Sequence, residues 1–434
     1  MKRQTTAMIM AAALVCGAAQ AQLLPGAVGS LPGQVVGAVL SPLQGAPQAA
    51  LGVVDTLGVR TVGALDRVSL RDMRRARLQA LIRANRDVLE ADADGNPVRR
   101  GEIIAIDASP ALLDQVRTAG FPVLREISIA GLGIRLHVLG LPKGDTVRKG
   151  LKRLGKIAPA GQFEMNHVFE PAGGALMAVS AAMAASSATA DRPIGMIDGG
   201  VAAHPSLSAA RIKQRGFVGG GPQASGHGTA IASLLVGEDG AFRGAAVGRT
   251  LLAADVYGGK PAAGSAEAIV RALGWLAESG AEVVNISLVG PPNRLLARAV
   301  ETTRDRGVAI IAAVGNDGPA APPLYPASYP GVIAVTGVDA RNRALVEAGR
   351  AEHLDFAAPG ADMVAALPGD GYANVRGTSF AAPLVAARFA AAEGAPGVRE
   401  KAVSAEAVPG RGKVGRGIVC QPCRNAPETV LAKK

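Results

Sequence analysis

The chain has 434 residues, enough for one large domain with additional segments, and its aromatic content of 3% indicates a core of small aliphatic side chains. Its formal net charge of +11 would suit a nucleic-acid-binding protein, but the charge distribution argues against that class. Residues 191–393 carry a net charge of −1, whereas the residues before them carry +7 and the residues after them carry +5. The positive surplus lies outside the central part of the chain, and we expect no nucleic-acid partner.

The N-terminus has the pattern of an export signal. Lys2 and Arg3 precede an apolar run over residues 7–19. The run leads into Ala19-Gln20-Ala21, which has the small residues of a cleavage site. The run is too short to span a membrane, and no later segment has a transmembrane pattern. We predict a signal peptide over residues 1–21, a secreted or periplasmic protein, and no stable membrane insertion.

Residues 22–97 are assigned to a linker and a basic helix. The first part, to about residue 65, is a low-complexity stretch of Gly, Pro, Val, Leu and Ala with almost no charge. Residues 66–90 are rich in Arg and have apolar side chains at helical spacing. This pattern favours a solvated amphipathic helix over an RNA-binding patch.

Residues 98–171 form a second unit with the order βαββαβ. Its predicted strands and helices are Glu102–Ile106, Pro110–Ala119, Val123–Ile129, Gly133–Leu139, Asp145–Leu154 and Gln162–Phe169. This order is typical of a small ferredoxin-like α+β unit, which can also be a binding module in its own right. Residues 172–190 are rich in Ala, Ser and Met and are predicted to be a flexible connector that proteases can reach.

Residues 191–393 alternate between apolar strand patterns and helical patterns. The predicted strands are Pro193–Ile197, Leu251–Val256, Glu282–Ser287, Val308–Val314 and Val332–Val338. The predicted helices are Thr229–Val236, Ser265–Glu278, Asn293–Asp305 and Ser379–Ala392. Continuous apolar strands indicate a parallel sheet covered on both faces. We therefore predict a doubly wound α/β domain with a mostly parallel sheet, whose sites form at the carboxyl ends of the strands.

Four polar residues occupy those positions: Asp198, His227, Asn316 and Ser379. Singly, each fits an ordinary role as a helix cap, a turn residue or a surface imidazole. Together they supply what nucleophilic catalysis needs, because an imidazole can take the proton of a serine and a carboxylate can orient that imidazole. A side-chain amide, with the backbone N–H of the serine, can bind the oxyanion. His204 is a rival imidazole six residues beyond the aspartate.

The segments around these residues carry a family resemblance over residues 192–393. The motifs are Asp198-Gly199-Gly200-Val201, Gly226-His227-Gly228-Thr229, Asn285-Ile286-Ser287-Leu288, Gly315-Asn316-Asp317-Gly318 and Gly377-Thr378-Ser379-Phe380-Ala381-Ala382-Pro383. Their combination resembles the subtilisin-like serine proteases (subtilases, peptidase S8). The resemblance implies that Asp198 orients His227, that His227 is the general base, that Ser379 attacks, and that Asn316 binds the oxyanion.

The resemblance also implies residues that contact the substrate. Ser287 and Leu288 correspond to the strand that binds the substrate backbone, and Leu324 corresponds to the base of the S1 pocket, which its side chain would make shallow. His204 is placed on a surface loop. Gly199 departs from the family pattern, which has Thr or Ser after the aspartate.

The resemblance gives the βαββαβ unit a role as a pro-domain that assists folding and blocks the cleft. The predicted function is a secreted serine endopeptidase that acts on proteins or peptides and is made as a self-processed precursor. Its own pro-domain would be an intramolecular inhibitor. The alternative is an inactive subtilase-fold protein that binds ligands or mediates surface adhesion.

Residues 394–434 form a basic C-terminal tail with a Cys-x-x-Cys motif. Cys420 and Cys423 are the cysteines that remain after signal removal, and in an exported protein we expect them to form a disulfide. Zinc would need further ligands, and the tail has no His. We identify no cofactor and no metal ligands, and calcium is implied by the family resemblance alone.

Overall fold

The computed structural model of the protein describes residues 67–173, 175–180 and 192–431. The predicted signal peptide and the predicted low-complexity segment up to residue 66 lie outside the described residues. Elements are numbered in chain order.

An N-terminal unit (residues 67–171) precedes the large sheet. Its elements are α1 (Arg67–Ala84), β1 (Leu89–Ala91), β2 (Pro97–Ile106), α2 (Pro110–Thr118), β3 (Val123–Ile129), β4 (Ile134–Gly140), α3 (Val147–Ile157), β5 (Gln162–His167) and β6 (Glu170–Pro171). The strands β3, β4, β2 and β5 lie side by side in that order and pair antiparallel, and β1 pairs with the first residues of β2. The strand β6 leaves this sheet and pairs with a strand of the large domain.

The central strand β2 joins the two layers of this unit because its side chains alternate between faces. Ile103 and Ala105 pack in a core with the apolar residues of α2 and α3. Ile104 and Ile106 lie on the opposite face, in a buried cluster shared with helices of the large domain. The sheet is therefore covered on both sides.

The unit begins earlier than the sequence predicted. The boundary placed between residues 97 and 98 falls inside β2, and the Leu89–Ala91 strand pairs with it across a tight turn. The helix α1 also packs onto this sheet, since its Leu78 is buried. A three-residue strand is too short to show a hydrophobic period, so the sequence pattern could not separate it from a linker.

A chain of polar contacts links this unit to the large domain. Asp92 accepts hydrogen bonds from Asn96 at 2.8 and 3.0 Å and lies 3.2 Å from His167 Nε2. Asn293 of the large domain donates to His167 Nδ1 at 3.1 Å, so the Nε2–H of His167 faces the carboxylate. Burial alone would raise the pKa of Asp92, but the hydrogen bonds from His167 and Asn96 outweigh it and lower this pKa to about 2.

The large domain is a doubly wound α/β domain, as predicted. Its strands are β7 (Ala175–Ser180), β8 (Ile194–Asp198), β9 (Ile212–Gly216), β10 (Glu238–Asp239), β11 (Phe242–Arg243), β12 (Leu251–Asp255), β13 (Val283–Ile286), β14 (Leu288–Val289), β15 (Ala309–Ala313), β16 (Ile333–Val338), β17 (Phe356–Pro359), β18 (Met363–Ala366) and β19 (Gly371–Arg376). Its helices are α4 (Gly226–Val236), α5 (Ala266–Glu278), α6 (Arg294–Asp305), α7 (Thr378–Ala391), α8 (Pro396–Ala405) and α9 (Pro427–Val430).

Within the described residues, a parallel sheet of seven strands has the order β17-β16-β15-β13-β8-β12-β9. Helices α4 and α7 contribute to the buried cluster on one face, and α5 and α6 contribute to the cluster on the other. The central strands are fully buried, which explains their continuous apolar sequence. The predicted doubly wound α/β fold of the large domain is confirmed.

The segment 172–190, predicted to be a flexible connector, contains a strand. Residues 175–180 form β7, which pairs antiparallel with β19, and β19 pairs with β18. Ala172 is buried, whereas residues 181–191 lie outside the described part of the chain. The sequence of β7, ALMAVS, has a single β-branched residue, Val179, and lies in an Ala- and Ser-rich stretch, so the sequence pattern missed the strand.

The C-terminal residues are packed rather than a free tail. Ile418, Val419 and Val430 are buried against the large domain, which therefore continues past the predicted boundary at residue 393. Cys420 and Cys423 form a disulfide, with Cα atoms 5.2 Å apart. In the described ranges, no helix is long and apolar enough to cross a membrane.

Candidate active site

The carboxyl end of β8 places Asp198 beside His227. Ser225 caps α4 by accepting from Gly228 N–H at 2.9 Å, so His227 lies in the first turn rather than before the helix, where it was predicted. His227 Nδ1 is 2.8 and 3.0 Å from the two carboxylate oxygens of Asp198, which is fully buried. A carboxylate only accepts, so Nδ1 carries the proton and Nε2 is the basic atom.

Ser379 lies at the start of α7, in the second position of the helix. The preceding turn uses Gly377 at a φ of 146°, a conformation that L side chains rarely adopt. The rings of His227 and Phe380 are 5.5 Å apart, so the imidazole packs beside the residue that follows Ser379. Ser379 Oγ and His227 Nε2 are both buried, and neither has a hydrogen-bond partner among the described residues. Buried polar atoms are usually hydrogen-bonded, and here the hydroxyl is able to donate and Nε2 is able to accept.

Asn316 follows β15 through Gly315, which has a φ of +89°. Its Oδ1 accepts from the Thr378 N–H at 2.9 Å, and Thr378 Oγ1 accepts from the Gly315 N–H at 3.1 Å. These two bonds fix the side-chain amide next to the residue before Ser379. The Nδ2 of Asn316 donates to two carbonyl oxygens of the passing chain, those of Ala172 and Gly173.

Residues 170–173 (the bound segment) lie in this cleft, and their first two residues form an added strand. The strand β6 pairs antiparallel with β14, with Pro171 opposite Leu288. Ala172 N–H donates to Ser287 O at 2.8 Å. Ser287 is itself fully buried, and its Oγ donates to Ser379 O at 2.9 Å. The two residues expected to border a bound backbone, Ser287 and Leu288, therefore border this segment.

Phe169 anchors the same segment further upstream. Its ring fills the space over Gly290, where a Cβ would lie 2.4 Å from the ring. Its N–H donates to Gly264 O at 2.7 Å, and its carbonyl accepts from Tyr257 OH at 3.2 Å. Burial raises the pKa of Tyr257 well above its usual value, so this hydroxyl stays protonated. Tyr257, Gly264 and Gly290 belong to no catalytic motif, so the sequence gives no signal for them, and only the bound segment reveals their role.

Leu324 is the residue expected at the base of the S1 pocket. It is buried in the apolar cluster that also contains Ala172 and Val289, and its Cδ1 lies 2.9 Å from where a Cβ on Gly315 would be. The side chain thus fills the space next to Gly315, the residue before Asn316.

Gly199 leaves room for the residue that caps α4. A Cβ on Gly199 would lie 2.3 Å from Ser225 Oγ, which is much closer than a van der Waals contact. The serine hydroxyl absent from position 199 is therefore replaced in space by that of Ser225. The position of Ser225 just before the Gly226-His227 motif is the sequence signal that could have indicated this.

His204, the rival imidazole, is buried rather than on a surface loop, because it packs at an edge-on angle against Tyr372. Its Nδ1 is 2.8 Å from Ser206 Oγ and its Nε2 is 3.0 Å from Gly371 O. Burial lowers the pKa of His204. Both ring nitrogens are engaged away from Asp198, so His204 has a structural role.

The described residues contain no cluster of three or more His, Cys, Asp or Glu side chains that could hold a metal ion. No calcium ligands can be assigned among them, and calcium stays an expectation from family resemblance.

The fold and the cleft define an α/β hydrolytic domain of the serine type, and comparison with known proteins gives the family. The subtilase family model matches residues 193–405. Subtilisin Savinase of Lederbergia lenta is 35% identical over 202 residues, which is 44% of this chain and 72% of that protein. Subtilisin DY of Bacillus licheniformis is 35% identical over 204 residues, covering 44% of this chain and 73% of that protein. The chain belongs to the subtilase family.

A solved structure shows the same fold. Fervidolysin from Fervidobacterium pennivorans, described as a keratinolytic enzyme related to subtilisin, superposes with a TM-score of 0.63 at 18% identity. The match covers 79% of this chain and 62% of the fervidolysin chain. The alkaline protease of Alkalihalobacillus alcalophilus is 35% identical, and the matched region covers 51% of it. The expected enzyme class, a serine-type endopeptidase, is confirmed at the level of the family.

Proposed function

We propose that this protein is a secreted serine endopeptidase made as a precursor that cuts its own chain. The supporting observation is the segment around Ala172, which lies in the cleft with its backbone paired to Ser287 and its carbonyl on the amide of Asn316. A substrate of a serine protease needs this combination of an added strand and a polarised carbonyl. The N-terminal signal pattern supports export, and peptides or proteins are the substrates.

The proposed reaction starts with proton transfer from Ser379 Oγ to His227 Nε2. The oxygen then attacks the carbonyl carbon of Ala172, and the negative oxygen accepts hydrogen bonds from Asn316 Nδ2 and the Ser379 N–H. The bond to the nitrogen of Gly173 breaks as His227 returns the proton to that nitrogen. Water then hydrolyses the acyl-enzyme by the same route. The buried carboxylate stabilises the imidazolium throughout.

We propose that the bond between Ala172 and Gly173 is the one that is cut. The Asn316 amide contacts the carbonyls of both residues, so cleavage after Gly173 is the rival. The N–H of Ala172 favours the first bond. It donates to Ser287 O, and the Oγ of the same Ser287 donates to the carbonyl oxygen of Ser379, so residue 172 and the nucleophile are held by one residue. After cleavage, β6 stays paired with β14, and the N-terminal unit acts as an inhibitor.

The test is the Ser379→Ala variant of the full chain, expressed without other proteases. We expect the wild type to yield a form that begins at Gly173 and the variant to remain uncut, with Ser208→Ala as a matched control on an exposed loop. A fluorophosphonate probe should label the wild type and not the Ser379→Ala variant. If the Ser379→Ala variant were cut at the same bond, the proposal of self-processing would be wrong. Failure of the wild type to label would favour the inactive binding or adhesion protein.

A further inference from the structure

The basic helix α1 precedes the βαββαβ part of the N-terminal unit and contacts both that part and the large domain. Leu78 is buried, and Leu81 packs against the buried residues Leu89 and Val168 of the N-terminal unit. Ala262 of the large domain belongs to the same cluster. The helix is therefore fixed at the seam between the two parts.

One face of α1 contacts Asp317, the residue after Asn316. Leu70, Arg74 and Arg77 have the spacing i, i+4 and i+7, which places them on the same side of the helix. Arg74 Nε lies 3.0 Å from Asp317 Oδ2, and a Cβ on Gly318 would lie 3.0 Å from Leu70 Cδ1. The rim formed by Asp317 and Gly318 thus receives both the apolar and the charged parts of this face.

Arg77 joins that rim to the bound segment. Its Nε and Nη2 are each 3.2 Å from a carboxylate oxygen of Glu170, and Nη2 is also 3.1 Å from Asp317 Oδ1. Glu170 lies two residues before Ala172, in the strand that pairs with β14. The guanidinium of Arg77 therefore ties Glu170 of the bound segment to Asp317, the residue after Asn316. Its planar set of N–H donors can bind two carboxylates at once.

The environment makes these contacts stronger than ordinary surface pairs. The side chain of Asp317 is 5% exposed, and that of Arg77 is 38% exposed. Burial alone would lower the pKa of Arg77, but the carboxylates of Glu170 and Asp317 outweigh it and raise this pKa, so the side chain stays charged. Among the described residues, the cations within ion-pair distance of Asp317 both come from α1.

We propose that α1 is a second inhibitory element, whose Leu70, Arg74 and Arg77 face docks on the Asp317–Gly318 rim and clamps Glu170 in the cleft. The inference rests on the proposed function, since the clamped segment is the one that the enzyme would cut. The βαββαβ unit alone would then hold the cleft less tightly than the unit with its helix. Because the clamp is ionic and partly exposed, its strength should fall as salt rises.

The test uses the full chain with Ser379→Ala, so that cutting does not enter the result. Hydrogen exchange is measured in the segment 168–173 for this protein, for an added Arg77→Ala, and for an added Arg75→Ala as the control. Arg75 lies on the same helix with its side chain 58% exposed and pairs only with Asp72 among the described ion pairs. We expect about tenfold faster exchange with Arg77→Ala and no change with Arg75→Ala.

A charge swap keeps the inference falsifiable if Arg77→Ala loosens α1 in general. Arg77→Glu combined with Glu170→Arg puts the guanidinium on the strand, where it can pair with the carboxylate introduced on α1 and with Asp317. The swap should restore slow exchange, whereas Arg77→Glu alone should not. High salt should accelerate exchange in the parent protein and leave Arg77→Ala unchanged.

Equal exchange in Arg77→Ala and Arg75→Ala, or no effect of salt, would overturn the clamp. These results do not depend on catalysis, so they are separate from the proposed function. If the wild type neither labels nor cuts itself while Arg77→Ala still exchanges faster, the clamp stands and the protease assignment fails. In a chain with an intact Ser379, we expect Arg77→Ala to increase the rate at which peptide hydrolysis appears after processing by about tenfold.

Discussion

A close backbone approach joins the N-terminal unit to α5, and it provides a sharp test of how the two parts dock. A Cβ on Gly274 of α5 would lie 2.3 Å from Ile129 Cγ2, and a Cβ on Gly131 would lie 2.2 Å from Gly274 O. Carbon atoms normally approach to about 3.5–4.0 Å. We therefore predict that Gly274→Ala forces the two surfaces apart by more than about 1 Å, or strains the side chains between them.

The magnitude follows from two effects of opposite sign. Overpacking of this kind costs about 1–3 kcal/mol, which corresponds to roughly 5- to 150-fold weaker retention of the N-terminal unit. In contrast, an alanine inside a helix is favoured over glycine by about 1 kcal/mol. The three atoms nearest to the new methyl group belong to Ile129 and Leu132 of the N-terminal unit. Once that unit has left, the large domain should keep the helical gain without the clash.

The assay follows the processed protein. Dissociation of the N-terminal unit is measured by size-exclusion chromatography at several concentrations, and the thermal stability of the separated large domain is measured by calorimetry. Gly155→Ala is the matched control, because Gly155 lies in α3 and has nothing within 4 Å of its Cβ position. Retention equal to that of the control, or a large domain with a lower Tm, would refute the reasoning.

Four further outcomes are expected. Asn316→Ala should lower kcat by about 10²–10³ with little change in KM, and a raised KM at constant kcat would instead make Asn316 a substrate-positioning residue. Leu324→Gly should raise kcat/KM for large aromatic P1 residues by about tenfold over the wild type in a peptide library, and an unchanged preference would remove Leu324 from the S1 pocket. Gly199→Ser should reduce activity through its clash with Ser225, and the double variant with Ser225→Ala should recover part of it; wild-type kcat/KM in the single variant would contradict this. The pKa of Asp92 is lowered to about 2 from a reference of 3.8, so the contribution of its carboxylate to stability is present above about pH 4 and lost as pH falls through 2. The difference in unfolding free energy between the wild type and Asp92→Asn should therefore shrink over that range. A difference that does not depend on pH would rule out this contribution of Asp92.

The central strands could be predicted because they are buried on both faces. Ile310 and Ile311 lie in an unbroken apolar run, which has few alternatives to an interior parallel strand. The outer strand β9 was missed, because its exposed Lys213 and Arg215 leave no such run. The C-terminal packing was missed for a related reason, since isolated residues such as Ile418 bury themselves without forming a periodic element.

The candidate site was predictable to the extent that each residue is tied to its own local motif. Ser379 follows a glycine turn into a helix, and His227 follows a capping serine. The contact of Arg77 with Asp317 spans 240 positions and has no local signature, so only the folded chain could reveal it. Contacts of this kind depend on which surfaces meet, and an amphipathic pattern does not specify its partner.

The pairing of β7 with β19 has a consequence for the chemistry of self-cleavage. Cleavage after Ala172 would leave both new ends anchored, one through β6 on β14 and the other through β7 on β19. The amine of Gly173 would then remain at a high effective concentration beside the acyl-enzyme, where it competes with water for the same carbonyl. Resealing of the chain would be a frequent event. Dissociation of β7 from β19, rather than the attack of Ser379, would then be the rate-limiting step of irreversible cleavage.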